Sequence, residues 1–184
     1  MSKNIIVSNR LPVQITQTED SINITPSVGG LATGMKSVHS EGNSLWIGWS
    51  GLEADNTDIE TQRKVEKELE KEKCVAVSLT SKDLEDYYLG FSNKTIWPLF
   101  HYFTEYAKFD YYQWKSYKEV NQKFADKILS HCEDDDIIWV HDYQLMLVPG
   151  LIKKEKPNIT IGFFLHIPYP SFEIFRLFPW REEL

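Results

Sequence analysis

The chain carries two short, continuously apolar runs, Ile137-Ile138-Trp139-Val140 and Ile159-Thr160-Ile161-Gly162-Phe163-Phe164-Leu165, separated by a segment of helix length. Both are too short to span a membrane and too uniformly apolar for strands with one wet face. The pattern therefore predicts buried parallel strands joined through a helix, a βαβ unit. The polar residues at the end of each run matter for function: the first run ends in His141-Asp142-Tyr143, the second in His166-Ile167-Pro168-Tyr169-Pro170. Ligands of open α/β sheets sit beyond the carboxyl ends of the strands, so both polar clusters fall where a site would form. Asn4-Ile5-Ile6-Val7, followed by Ser8-Asn9-Arg10, repeats the same pattern at the start of the chain.

Between these runs the periodicity changes several times. Val13-Gln14-Ile15-Thr16 and Ile22-Asn23-Ile24-Thr25 alternate around Glu19-Asp20, which predicts a hairpin. Gly29-Gly30-Leu31-Ala32-Thr33-Gly34-Met35-Lys36 reads as a glycine-rich entry into a helix, whose free N–H groups attract anions. Ser44 to Gly51 predicts a short strand ending in a turn. Thr57 with Glu60 forms a capping-box signature for a charged, solvated helix over 57–73, anchored by Ile59, Val65 and Leu69. Val75–Leu79 predicts a strand, and Thr80 with Asp83 opens the next helix by the same box. Trp114, Tyr117, Phe124 and Ile128 keep helical spacing from Tyr111 to Ser130, and Pro149 should kink or restart the helix after Asp142. Ser171 reads as the cap of a short helix, and Trp180 to Leu184 resembles the first turn of another, cut while still running. The alternation as a whole describes one α/β domain.

Composition narrows the function. With 184 residues, 42% of them hydrophobic, the chain can bury one full core. A formal charge of −7 argues against non-specific nucleic-acid binding but leaves room for a phosphorylated small molecule, which one arginine and a helix start can hold. No run reaches membrane-spanning length, and the first residues lack the pattern of a secretory signal, so a cytoplasmic protein is expected. Cys74 and Cys132 are far apart and fit reduced, structural thiols. No metal-ligand spacing and no nucleophile with an adjacent base is legible, so no metal or cofactor is expected.

Each candidate site residue has a plain alternative. Asp142 could accept hydrogen bonds from sugar hydroxyls or simply cap the following helix. His166 at a strand end could serve the site or be structural. Arg10 beside a glycine-rich turn suits bidentate phosphate recognition, yet a surface carboxylate would pair with it equally well. The double glycine alone could be only a tight turn. Tyr88, Trp97 and Trp49 could all be core. Six tryptophans nevertheless supply flat apolar faces with polar tips that suit a sugar.

Taken in order, SNRLPV, GGLATGM, WIGWSG, DYYLGFSNKTIWPLFHY, YKEVNQKFADKI, DDDIIWVHDYQLMLVPGLI and IGFFLHIPYPSFEIFR strongly resemble the N-terminal half of the trehalose-6-phosphate synthase family. The resemblance implies a Rossmann-like parallel-sheet domain, the first half of a two-domain GT-B fold. It implies a retaining transfer of glucose from UDP-glucose to glucose 6-phosphate, giving α,α-trehalose 6-phosphate and UDP. Arg10 would then contact the acceptor's phosphate, Tyr88 and Trp97 would line the acceptor pocket, and Asp142 would bind acceptor hydroxyls. Gly30 would offer its N–H to the donor diphosphate, His166 would contact the donor glucose, and Trp49 would lie near the same pocket. The leaving diphosphate would help deprotonate the attacking hydroxyl, without a protein nucleophile or required metal. A donor-binding domain in cis would be needed, and the face meant for it would favour weak pairing of two copies. Two other readings stay open at this level: a related GT-B enzyme with another acceptor, such as a sucrose-phosphate or glycogen synthase, and a non-catalytic sugar-phosphate sensor.

Overall fold

The computed structural model describes residues 2–17 and 22–184. In chain order it runs β1 (Asn4–Arg10), β2 (Val13–Gln17), β3 (Ile22–Pro26), α1 (Gly30–Gly34), α2 (Lys36–Glu41), β4 (Ser44–Glu53), α3 (Ile59–Lys71) and β5 (Cys74–Leu79). Next come α4 (Ser81–Asp83), a π-helix (Leu84–Ile96), α5 (Trp97–Phe100), α6 (Tyr111–Leu129), β6 (Ile137–His141), α7 (Val148–Glu155), β7 (Thr160–Phe164) and α8 (Phe172–Phe175). Five strands form a parallel sheet in the order β5-β4-β1-β6-β7, and β2 pairs with β3 as an antiparallel ribbon. The ribbon is the expected hairpin; its turn at Glu19-Asp20 lies outside the described residues.

β1 is the centre of the sheet, and Ile5, Ile6 and Val7 are fully buried. Successive residues of a strand point to opposite faces. Ile5 and Val7 accordingly join Ile47, Ile138 and Val140 under the π-helix, α6 and α7, while Ile6 and Trp46 pack with Met35, Val65 and Leu69 on the other side. Both cysteines are buried and unpaired, as expected, and burial pushes the Cys74 thiol up to about 12.

Several expectations need correction. β6 and β7 are parallel, but they are not buried on both faces. β7 is an edge strand, and on the Ile6 side of the sheet Trp139 is 36% exposed and Phe164 50% exposed. Uniform apolarity here marks surface that the described residues leave open. The helix at 57–73 starts one residue later than its sequence box, because Thr57 Oγ1 donates to the Glu53 carbonyl (2.8 Å) and Asp58 caps the helix through the Thr61 N–H (2.9 Å). Ile59 is exposed rather than an anchor; Thr61, Val65 and Leu69 form the buried stripe. β4 does not end in a turn at Gly51 but runs on to Glu53 through a register shift. Residues 180–183 form turns, not a helical start. The Thr80–Asp83 box and the packing helix α6 appear as expected, and Pro149 sits in the first turn of α7, where its missing N–H is harmless.

Candidate functional site

Arg10 ends β1, where the ladder to β4 loses its regular register after Val7. Hydrogen bonds hold this irregularity. Trp46 Nε1 donates to Ser8 Oγ (2.8 Å), Ser8 Oγ donates to the Arg10 carbonyl (2.7 Å), and the Leu11 N–H donates to the Trp49 carbonyl (2.9 Å). The WIGWSG stretch explains itself against this end of β1. A Cβ at Gly48 would sit 2.8 Å from the Ser8 carbonyl oxygen and 2.9 Å from the Leu11 nitrogen, so only glycine lets the two backbones approach. Gly51 has φ +96°, and a Cβ there would lie 2.7 Å from an Arg10 guanidinium nitrogen. Trp49 anchors its indole N–H on the Leu52 carbonyl (2.8 Å) and places its ring 5.1 Å from Arg10 Cζ.

Asp142 leaves β6 with φ 77° and ψ 168°, a conformation almost confined to glycine. Its surroundings over-determine that strain. The Asp142 N–H donates to the Phe164 carbonyl (2.8 Å), and Oδ1 accepts from the N–H groups of Tyr143 (2.9 Å) and His166 (3.2 Å). From the other side α6 grips the following turn. Tyr117 Oη donates to the Tyr143 carbonyl (2.7 Å) and accepts from the Met146 N–H (3.2 Å), while Asn121 pairs with the Gln144 carbonyl (3.0 Å) and the Leu147 N–H (3.2 Å). Burial raises the Tyr117 and Tyr143 phenols well above their ordinary range, so both remain neutral struts. As a cap, Asp142 serves only the single 3₁₀ turn Tyr143–Leu145; α7 begins at Val148 without a side-chain cap. Oδ1 is taken up by backbone donors, which leaves Oδ2 for a ligand.

A cleft of about 500 Å³ opens at these strand ends, within the range of small-molecule sites. Arg10, Gly30, Tyr88 and Asp142 all line it, together with Asn9, His141 and Gln144. Tyr88 arrives from the π-helix, whose neighbouring Tyr87 donates its hydroxyl to Asn9 Oδ1 (2.9 Å) and so ties the helix to β1. Gly30 opens the five-residue α1 behind Gly29, which provides no side-chain cap, and a Cβ on Gly30 would meet nothing within 4 Å. His166 is exposed and reaches the cleft wall through His141, Nδ1 to Nε2 3.1 Å. The structure does not bring the other two candidates to the walls of the cleft. Trp49 lies behind Arg10, and Trp97 is exposed elsewhere, stacked on His101 at 4.1 Å between ring centres. Sequence reasoning placed Asn9 and His141 in the strand-end clusters without giving them a role, and missed Gln144. The first two are the polar residues immediately before Arg10 and Asp142, a position that the strand-end rule itself singles out.

A parallel sheet whose strand ends gather a cation, a strained carboxylate, an aromatic hydroxyl and a glycine-rich helix start around one cleft is a Rossmann-like α/β domain. The chain belongs to glycosyltransferase family 20, whose family model matches residues 2–184. It is 44% identical over 188 residues to the alpha,alpha-trehalose-phosphate synthase (UDP-forming) of Botryotinia fuckeliana, a match covering 100% of this chain and 36% of that relative. Among solved structures, it is similar to the trehalose-6-phosphate structure from E. coli bound with UDP-2-fluoro glucose (34% identity, TM-score 0.75, 98% of this chain and 36% of that one). It is also similar to an alpha,alpha-trehalose-phosphate synthase (UDP-forming) from Burkholderia xenovorans in complex with glucose-6-phosphate (28% identity, TM-score 0.74, 100% and 37%). The chain thus spans little more than a third of the length of these relatives. No helix among the described residues is long and apolar enough to cross a membrane.

Proposed function

We propose that this chain is the acceptor-side part of a UDP-forming trehalose-6-phosphate synthase, and that its cleft takes glucose 6-phosphate. The observation that carries the reading is the convergence of Arg10, Tyr88 and Asp142 on one cleft beside the glycine-rich helix start. A guanidinium matches a phosphate bidentately, and a carboxylate accepts from neighbouring sugar hydroxyls. In this reading Arg10 holds the acceptor's phosphate, Asp142 Oδ2 orients its sugar ring, Gly30 offers its N–H to the donor diphosphate, and His166 contacts the donor glucose. Trp49 acts on the acceptor indirectly, by supporting Arg10. The remaining length seen in the relatives supplies the nucleotide-binding domain in cis.

The reaction forms a bond from the acceptor's anomeric oxygen to C1 of glucose and breaks the bond from C1 to the diphosphate, on the same face of the sugar. The acceptor's proton passes to the departing diphosphate oxygen. This chain's residues contribute position and charge rather than a covalent step, which is where much of such a barrier is removed. The test is the full-length protein incubated with UDP-glucose and glucose 6-phosphate, with UDP release and the product's anomeric configuration read together. Stoichiometric UDP and α,α-trehalose 6-phosphate are expected. Glucose 6-phosphate binding with no UDP release would replace the enzyme reading with a sensor.

A further inference from the structure

We propose that His141 is a positioning residue that fixes the ring and tautomer of His166, so that His166 meets its ligand as a neutral Nδ1–H donor. The proposal rests on the reading above, in which His166 contacts the donor sugar, and it assigns the chemical form in which that contact is made. His141 is the last residue of β6, only 2% exposed, and its Nδ1 lies 3.1 Å from His166 Nε2. Its other ring nitrogen, Nε2, is buried with no hydrogen-bond partner among the described residues.

That asymmetry selects the proton's place. Were His141 protonated on Nε2, a buried N–H donor would be orphaned, which folded proteins rarely tolerate. With the proton on Nδ1, His141 donates to His166 Nε2 and only a lone pair is left unpaired, the milder defect. His166 Nε2 is then an acceptor, so in the neutral ring the hydrogen must sit on Nδ1. A doubly protonated pair is disfavoured as well, since burial and the facing His166 hold His141 down at about 4.

The same contact fixes the ring in space. The His166 N–H is held by Asp142 Oδ1 (3.2 Å), and its ring packs against Phe164 (centres 4.6 Å apart) and lies nearly parallel to His141 (28°). Trp139 closes over His141 at 4.9 Å. With its backbone and one ring nitrogen both tied to the end of β6, His166 presents a single N–H donor, suited to a sugar oxygen.

The experiment uses the full-length protein with ¹³C/¹⁵N-labelled histidine, the His166 signals being identified by their loss in His166→Gln. Wild type should show His166 predominantly as the Nδ1–H tautomer. His141→Phe should shift it toward Nε2–H, the form that neutral imidazole side chains prefer in water. His141→Asn, whose amide N–H stands close to the place of Nδ1, should restore Nδ1–H. In glucosyl transfer, His141→Phe should lower kcat roughly tenfold or more, as expected for a misplaced contact group, with the acceptor KM within about twofold and substantial recovery in His141→Asn. An Nε2–H tautomer in wild type, or one that His141→Phe leaves unchanged, overturns the proposal. A full-length protein that transfers no glucosyl group would overturn the functional reading alone, since the tautomer measurement decides the pairing by itself.

Discussion

Arg10 Cζ stands 5.1 Å from the centre of the Trp49 ring, and Gly51 opposite has no side chain to obstruct the guanidinium. The GWSG turn is therefore a seat for Arg10 rather than a wall of the cleft. A cation over an indole at a partly exposed site contributes about 0.5–1 kcal/mol. Trp49→Leu should thus raise the KM for a phosphorylated acceptor about two- to fivefold in steady-state kinetics. Gly51→Ala should do more, because its Cβ must displace a guanidinium nitrogen 2.7 Å away at a φ of +96°. An alanine variant with wild-type acceptor KM would show that Arg10 does not need this seat.

Substitution separates the clamp role of Asp142 from the ligand role proposed for it. Asn is isosteric with Asp, so this backbone strains it no more, and it caps about as well; Asp142→Asn should therefore melt within about 0.5 kcal/mol of wild type. Replacing the charged acceptor at Oδ2 should nevertheless lower kcat/KM about tenfold or more, since a hydrogen bond to a charged group contributes about 1.5–3 kcal/mol. Asp142→Ala should also lose stability, because the N–H groups of Tyr143 and His166 lose their shared acceptor. Full turnover in Asp142→Asn would reduce the residue to a backbone clamp.

How legible these arrangements were in the sequence depended on how local their causes are. The positions of Arg10 and Asp142 at strand ends and the Thr80–Asp83 box each come from a few adjacent residues; the structure places the first two beside one cleft and forms the box. Thr57 failed as the cap because its side chain is turned back onto the Glu53 carbonyl, four residues earlier, and the adjacent Asp58 accepts from the Thr61 N–H instead. The π-helix over Leu84–Ile96 left no periodic signature, since its contacts to β1, such as Tyr87 to Asn9, join residues 78 apart. Trp49 could not be told from a pocket wall because its partner Arg10 lies on another strand. Continuous apolarity in β6 and β7 likewise cannot distinguish a strand buried within its own domain from one left open.

That openness has a measurable consequence. Among the described residues β7 has an unpaired edge, with Phe163 and Phe164 exposed on opposite faces and Trp139 on the same face as Phe164. Flat apolar edges recruit further strands. Residues 1–184 expressed alone should therefore self-associate on light scattering as concentration rises, and Phe163→Lys should reduce this. A monodisperse monomer at high concentration would refute it.

Acid should loosen the site before most carboxylates titrate. Burial first, and the facing His166 second, lower His141 from the ordinary imidazole value of 6.5 to about 4. The unfolded chain therefore takes up a proton at higher pH than the folded one. The stability contributed by a neutral His141 is complete above about pH 6.5, declines as pH falls, and is lost below about pH 4. Asp136, whose carboxyl stays below its usual range against burial through the N–H groups of Glu133 and Lys3, acts in a lower window. Melting temperatures of wild type and His141→Gln across pH 4–8 should converge toward the acid end, where the buried imidazole must charge. Parallel curves would contradict this.

If Arg10 holds the acceptor's phosphate, its removal must separate two acceptors, which the kcat/KM of full-length Arg10→Ala and wild type for glucose 6-phosphate and for glucose will show. Removing one charge-assisted contact should lower use of glucose 6-phosphate about ten- to a hundredfold or more, while glucose, which has no phosphate to lose, changes little. Equal losses on both acceptors would contradict the account.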